Sequence, residues 1–92
     1  MNACILAVGN ELLNGHTVDT NTPWLCQRLL EKQIAVNGAW IVPDERDRII
    51  ESLRYASKCG ELIIVTGGLG PTDDDITRQA VAEYLQVPLE FR

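Results

Sequence analysis

The chain has 92 residues, 46% of them hydrophobic, with eight basic and thirteen acidic residues and a net charge of −5. This length allows one small domain, and an acidic balance without a basic cluster excludes a nucleic-acid partner bound through its phosphate backbone. No apolar run in the sequence approaches the length of a membrane span, so no membrane partner is expected.

The three cysteines indicate the cellular compartment. Cys4, Cys26 and Cys59 are odd in number, widely spaced and embedded in apolar patterns. Such a set favours reduced, buried thiols over a disulfide framework or a zinc site. We therefore expect a cytoplasmic protein.

The chain begins with a predicted strand, a long connection and a predicted helix. Residues 3–8 are apolar and end at Gly9, which predicts a first strand. The thirteen residues from Gly9 to Asn21 show no obvious element. This connection is long for an α/β fold, which suggests that it has a functional role. Thr22 then predicts a helix start, with threonine as the cap and proline in the first turn, and this helix is expected to end near Gln33.

Two further strands and two further helices follow. Residues 34–42 predict the second strand, and Asp44 is expected to cap a second helix that stops at Gly60. Residues 62–65 form the continuous aliphatic run that is typical of a strand covered on both faces in a parallel sheet, and the third strand is expected over 62–66. Apolar residues at helical spacing over 76–85 predict a third helix.

The order βαβαβα with short connections predicts the α/β fold class. We expect a three-layer αβα arrangement around a parallel sheet, with right-handed crossovers and the strand order 2-1-3. In that order the two crossovers run in opposite directions, so a crevice opens at the carboxyl ends of strands one and three. Ligands bind at such points in open α/β sheets.

A glycine-rich turn directly follows the third strand. Gly67, Gly68 and Gly70 allow a sharp turn and close approach to a ligand, and the N–H groups of a following helix start favour an anion such as phosphate. The glycine spacing matches neither a Walker loop nor a dinucleotide fingerprint. The turn is therefore interpreted as phosphate-handling without a standard motif.

Three consecutive acids, residues 73–75, lie beside this turn. A divalent metal such as Mg²⁺ would relieve the repulsion between their carboxylates and a bound phosphate. Thr72 and Asp75 also have the spacing of a capping box, so chemistry of the helix start is an alternative reading of the same acids.

Polar residues from the other loops are expected at the same crevice. They suit ribose hydroxyls, phosphate or a metal, whereas His16 is interpreted as a solvated loop residue. The residues expected there are Gly9, Asn10 and Glu11 after strand one, Asp19 and Asn21 in the long connection, and Asp44 after strand two.

Three segments together resemble a known family. They are GNELLNGHTVDTN after strand one, VPDERDRI at the second helix start and GGLGPTDDDITRQAVAEYL at the third. In this order they resemble the amino-terminal domain of the CinA, or competence/damage-inducible, family, which belongs to the wider molybdopterin-binding fold of MoaB, MogA and gephyrin. The resemblance covers essentially the whole chain, so residues 1–92 are interpreted as the amino-terminal part of such a domain.

The resemblance implies a phosphorylated pterin or nucleotide as the ligand. In the pterin-handling relatives, an aspartate after a GGTG turn and an acid in a Pro-Asp-Glu segment fall on Asp75 and Asp44 of this chain. Leu69 replaces the threonine of that turn, which is the CinA-like form and points away from adenylyl transfer to molybdopterin. CinA-like domains are associated with metal-dependent cleavage of the pyrophosphate in ADP-ribose. They often accompany a separate domain that deamidates nicotinamide mononucleotide, an activity not assigned to this chain.

The resemblance also predicts more chain than is present. Domains of this family run to about 150 residues, so at least one further strand and helix are expected to follow. A three-stranded sheet leaves edges that tend to pair, so we also expect a homo-oligomer.

Two functions remain open from the sequence. In a hydrolase, Asp75 with Asp44 or Glu11 would hold Mg²⁺ or a similar ion, while Thr72 and the glycine turn would hold a phosphate and Asp44 could act as a base. In a non-catalytic module, the same crevice would bind molybdopterin or a nucleotide without turnover. A vestigial crevice that does neither is a third possibility.

Overall fold

The computed structural model describes residues 1–67 of the chain. The predicted third helix, over 76–85, lies outside the described residues. Six elements alternate along the described part: β1 (Asn2–Val8), α1 (Asn10–Leu13), α2 (Asn21–Glu31), β2 (Ala35–Val42), α3 (Arg46–Cys59) and β3 (Leu62–Gly67).

β1 is the central strand and the middle of the core. Its residues from Ala3 to Val8 are at most 1% exposed. Cys4, Leu6 and Val8 belong to an apolar cluster with α3, whereas Ala3 and Ile5 belong to a second cluster with α2. A helix therefore covers each face of the sheet, which explains the uninterrupted apolar run and confirms the αβα layers.

The sheet is parallel with the order β2-β1-β3, as the sequence predicted. Val8 at the end of β1 pairs with Val42 of β2 and with Gly67 of β3. The carboxyl ends of the three strands are therefore level. The three segments that follow them start from one edge of the sheet.

A β-bulge near the start of β2 ties this strand to α3. The pairing with β1 shifts so that Asn37 is an additional residue between Val36 and Gly38. The Nδ2 group of Asn37 donates a hydrogen bond to the Cys59 carbonyl oxygen at 2.8 Å. This bond satisfies one of the terminal carbonyls that a helix leaves without an internal donor.

α3 buries the apolar stripe that its sequence predicted. The helix ends at Cys59, next to Gly60, where the stop was expected. Its buried side chains are all at most 4% exposed and pack onto the β1 cluster: Ile49, Leu53 and Ala56.

α2 ends at Glu31 and is closed by a Schellman motif. The N–H of Gln33 donates to the Leu30 carbonyl and the N–H of Ile34 donates to the Leu29 carbonyl, both at 2.9 Å. Gln33 adopts φ 62°, a left-handed conformation that glycine usually takes at this position. The predicted end near Gln33 is therefore two residues late, because no glycine marks the motif.

The connection from 9 to 21 contains α1, so the prediction that it has no element is wrong. The Glu11 carbonyl accepts hydrogen bonds from the N–H groups of His16 at 3.0 Å and Thr17 at 3.1 Å. His16 itself is exposed, as expected for a solvated loop residue. A helix of four residues is too short to leave a periodic apolar pattern in the sequence.

Two predicted helix caps are also wrong. Thr20 rather than Thr22 precedes α2, and the Asp19 carboxylate accepts the Thr22 N–H at 3.1 Å. Glu45 rather than Asp44 precedes α3. Because α3 starts later than predicted, Asp44 belongs to the loop that follows β2.

Candidate functional site

The candidate site lies at the edge of the sheet where β1, β2 and β3 end. Gly67 closes β3 with φ 84°. A Cβ atom at this position would lie 2.1 Å from the Val8 carbonyl oxygen, far inside van der Waals contact. Glycine therefore lets the ends of β1 and β3 approach each other, a structural reason for this residue that does not depend on a ligand.

Gly9 links β1 to α1 at the same edge. Its N–H donates to the Val42 carbonyl oxygen at 3.0 Å, which joins the ends of β1 and β2. The Glu11 carboxylate folds back over this glycine, since a Cβ on Gly9 would lie 2.5 Å from Glu11 Oε1. Glu11 is exposed, so a carboxylate faces solvent beside the strand ends.

A side-chain hydrogen bond joins the loops that follow β1 and β2. The Oδ1 atom of Asn10 accepts the backbone N–H of Asp44 at 3.0 Å, across 34 positions of sequence. The structure thus brings together Gly9, Asn10 and Asp44, as the predicted strand order required. No local pattern in the sequence predicts this hydrogen bond.

Asp44 occupies the turn between β2 and α3. The residue is half-buried and its Oδ1 atom is shielded from solvent. The Glu45 N–H donates to the Pro43 carbonyl at 2.8 Å and directs the chain into α3. Arg46, two residues after Asp44, forms an ion pair with Asp47 at 2.6 Å. A carboxylate and a guanidinium therefore lie within two residues of each other at this strand end.

Asp19 and Asn21 have structural positions at the start of α2. The two Asp19 carboxylate oxygens accept the N–H of Thr22 at 3.1 Å and its hydroxyl at 2.5 Å. These bonds satisfy one of the donors left open at a helix start. Asn21 is the first residue of α2 and is exposed. Neither side chain is tied to the crevice by a contact of the described residues.

The described residues supply oxygen ligands for a metal but no complete cluster. Within 1–67, no group of three or more histidine, cysteine, aspartate or glutamate side chains could hold a metal ion. Among the carboxylates that follow the strand ends, which also include Glu45, the predicted ligands are Glu11 and Asp44. Mg²⁺ binds through one or two protein carboxylates together with water and substrate phosphates, so this donor set fits it in chemistry and number.

Part of the predicted site falls beyond the part of the chain that the structure describes. These positions are Gly68, Gly70, Thr72 and Asp75.

A surface groove of about 440 Å³ lies elsewhere, along the outer side of α3. Trp40 and Tyr55 line it with their ring centroids 5.3 Å apart in an edge-to-face arrangement. The groove does not include any of the predicted site residues. The groove is therefore separate from the candidate site at the strand ends.

The cysteines do not form a site in the described chain. All three are free thiols, and Cys4 alone is fully buried, whereas Cys26 and Cys59 are half-buried. Burial, and after it the neighbouring Cys59 thiol, raises the pKa of Cys4. The Cys4 thiol therefore stays protonated in the core.

Comparison with known families decides the classification. The profile of a family described as a probable molybdopterin binding domain matches residues 4–92. The chain belongs to this molybdopterin-binding domain family. It is 45% identical over 86 residues to a CinA-like protein of Anaeromyxobacter sp. (strain K), a match that covers 94% of this chain and 21% of that protein. It is 46% identical over 89 residues to a CinA-like protein of Fusobacterium nucleatum, covering 97% and 22%.

Solved structures of family members have the same fold. The protein CinA of unknown function from Thermoplasma acidophilum has a TM-score of 0.85 at 36% identity, over 92% of this chain and 50% of that one. The molybdopterin biosynthesis enzyme MoaB from Thermus thermophilus has a TM-score of 0.80 at 30% identity, over 89% and 53%. The family member described here spans about a fifth of those CinA-like relatives and about half of these solved chains.

Of the helices within residues 1–67, none has the length and apolar character needed to cross a membrane.

Proposed function

We propose that this CinA-like domain hydrolyses the pyrophosphate of ADP-ribose or a related nucleotide in a metal-dependent reaction. The observation that carries the proposal is the convergence of three strand ends, which bring Glu11, Asp44 and Gly67 to one edge of the sheet. This edge is where ligands bind in parallel α/β sheets. Similarity to CinA-like proteins supports the same choice.

The backbone would bind the substrate phosphates. Gly67 is the first glycine of the turn predicted from the sequence, and the N–H groups of that turn would donate to phosphate oxygens without the obstruction of side chains. Asp44, with Glu11 or Asp75, would provide the carboxylates that hold Mg²⁺. Bound there, the ion would supply Lewis-acid polarisation of a phosphoryl oxygen and of the attacking water.

The proposed reaction is hydrolysis of the bond between one phosphorus and the bridging oxygen of the pyrophosphate. A water oxygen bonds to one phosphorus while the bond from that phosphorus to the bridging oxygen breaks. The leaving phosphate carries the bridging oxygen, so the products are AMP and ribose 5-phosphate. Where Asp44 and Glu11 hold the metal, the carboxylate of Asp75 would accept the proton of the attacking water.

The test is release of AMP from ADP-ribose by the 92-residue chain, with and without Mg²⁺. We expect AMP only with the metal, and loss of most turnover in Asp44→Asn. Glu61→Gln is the matched control, because Glu61 is an exposed acid next to the opposite, amino-terminal end of β3. Equal turnover in wild type and Asp44→Asn would reject the assignment of Asp44.

A second candidate is a module that binds molybdopterin or a nucleotide phosphate without turnover. The family description as a probable molybdopterin binding domain favours it, as does the similarity to a molybdopterin biosynthesis enzyme. This function predicts a higher melting temperature with ligand and no product. Metal-dependent AMP release would reject it.

We also propose that the chain forms a homo-oligomer in the cytoplasm. β2 is an edge strand of the described sheet, and its eight residues carry no charged side chain that would discourage pairing. The free thiols suit a reducing compartment. A monomeric mass by light scattering would reject the oligomer, and recovery outside the cytoplasmic fraction would reject the location.

A further inference from the structure

The side chain of Asn10 has one fixed orientation at the candidate site. Its partner is the backbone N–H of Asp44, 3.0 Å away, and a backbone N–H can only donate. The atom that receives this hydrogen bond must therefore be the amide oxygen Oδ1, and not the Nδ2 group. One acceptor position of Asn10 is used by the protein itself.

Asn10 is held in place from the β1 side. Its carbonyl oxygen accepts the Asn14 N–H at 2.9 Å in the single turn of α1. The preceding residue, Gly9, donates to the Val42 carbonyl at 3.0 Å. The backbone that carries the Asn10 side chain is thus attached both to α1 and to the end of β2.

Asp44 lies in the short segment that joins β2 to α3. It follows β2 directly and precedes the first turn of α3. The Asn10 bond fixes the backbone at Asp44 itself, and a shift of this backbone would move the attached carboxylate with it. Asn10 is exposed, so removing its side chain leaves both apolar clusters of the core untouched.

We infer that Asn10 is a positioning residue, which holds the Asp44 carboxylate at the crevice by accepting the Asp44 N–H. This inference rests on the proposed function, in which Asp44 binds a divalent cation. It changes the role expected for Asn10, because the residue acts through Asp44 and not through contact with the cofactor. Loss of a group that orients a metal ligand in this way typically weakens metal affinity about 10- to 100-fold.

The test compares Asn10→Leu, which removes the acceptor, with Asn10→Asp, which keeps it. Asn14→Leu is the matched control, since Asn14 is an exposed asparagine at the end of the same short helix. In the isotope-labelled 92-residue chain, Asn10→Leu should speed hydrogen exchange of the Asp44 amide roughly tenfold, the equivalent of one lost hydrogen bond. Asn10→Asp and Asn14→Leu should leave that exchange unchanged.

Mn²⁺ affinity, followed by electron paramagnetic resonance, gives the second readout. Asn10→Leu should weaken Mn²⁺ binding about 10- to 100-fold, the usual effect of losing a group that orients a metal ligand. Asn10→Asp should bind Mn²⁺ at least as tightly as wild type, because it keeps the acceptor.

The outcomes separate this inference from the proposed hydrolysis. Unchanged Asp44 exchange in Asn10→Leu, or unchanged Mn²⁺ affinity, would overturn the positioning role even if AMP is released. Absence of Mn²⁺ binding by the wild-type chain would overturn it as well. Mn²⁺ binding that depends on Asn10, without AMP release, would support the positioning role and reject the hydrolase.

Discussion

Gly67 lies at the paired ends of β1 and β3, and two separate constraints act on it. Its φ of 84° disfavours a residue with a Cβ, and that Cβ would lie 2.1 Å from the Val8 carbonyl oxygen. Gly15 has a similar φ of 78° but no atom within 4 Å of the corresponding Cβ position. Alanine substitutions at these two glycines therefore separate the free-energy cost of the left-handed conformation from that of the contact with the Val8 carbonyl.

We predict that Gly67→Ala lowers the free energy of unfolding by about 3 kcal/mol, because strain and a backbone clash add. Gly15→Ala should cost only about 1 kcal/mol, the conformational part alone. Urea unfolding of both variants measures the difference. Equal costs would show that the ends of β1 and β3 are not as close as the structure places them.

Asp19 is the residue whose interpretation changes most. The sequence suggested a ligand in a long polar loop, whereas its carboxylate caps the start of α2. Asp19→Ala should lower the free energy of unfolding by about 1 kcal/mol, the usual value of a lost cap. Asp19→Asn keeps an acceptor and should stay near wild type in the same urea experiment. An equal loss in both variants would contradict a capping role.

At the scale of elements, the end of α2 carries a residue in an unfavourable conformation. Gln33 occupies the left-handed position of the Schellman motif with φ 62°. Most residues pay for this conformation through contact of the Cβ with the following carbonyl, and glycine does not. The motif is held by backbone hydrogen bonds, so it persists without the glutamine side chain.

Gln33→Gly should therefore raise the free energy of unfolding by about 0.5 to 1 kcal/mol, the conformational gain less the greater entropy of glycine in the unfolded chain. Lys32→Gly is the control, because Lys32 has φ −95° and gains nothing from glycine. A thermal melt of both variants is sufficient. A lower melting temperature for Gln33→Gly would contradict the motif.

The same elements show what the sequence could and could not predict. The sequence predicted β1 and α3 because burial of a strand on both faces gives a continuous apolar run, and burial of a helix on one face gives a periodic apolar stripe. The end of α2 was not, since Gln33 lacks the usual glycine signal. α1 was missed because a helix of four residues is too short to show a period. The Asn10–Asp44 bond depends on the register between distant segments, which local patterns do not encode.

At the scale of the whole molecule, the crevice results from topology. A parallel sheet of order β2-β1-β3 places the loops after all three strands on one edge, although Gly9, Asp44 and Gly67 are far apart in sequence. The opposite edge carries the strand starts at Asn2, Ala35 and Leu62. The proposed function requires that a ligand with a phosphate group bind at the edge with the strand ends and not at the edge with the strand starts.

The most direct measurement of that requirement is an amide chemical-shift titration of the 92-residue chain with AMP in the presence of Mg²⁺. The proposed function predicts saturable shifts of the Gly9, Asn10, Asp44 and Gly67 amides, with the amides of Asn2, Ala35 and Leu62 unchanged as an internal control. Shifts centred on the strand starts, or no saturable shift at either edge, would contradict a phosphate-binding crevice at the carboxyl ends of this sheet.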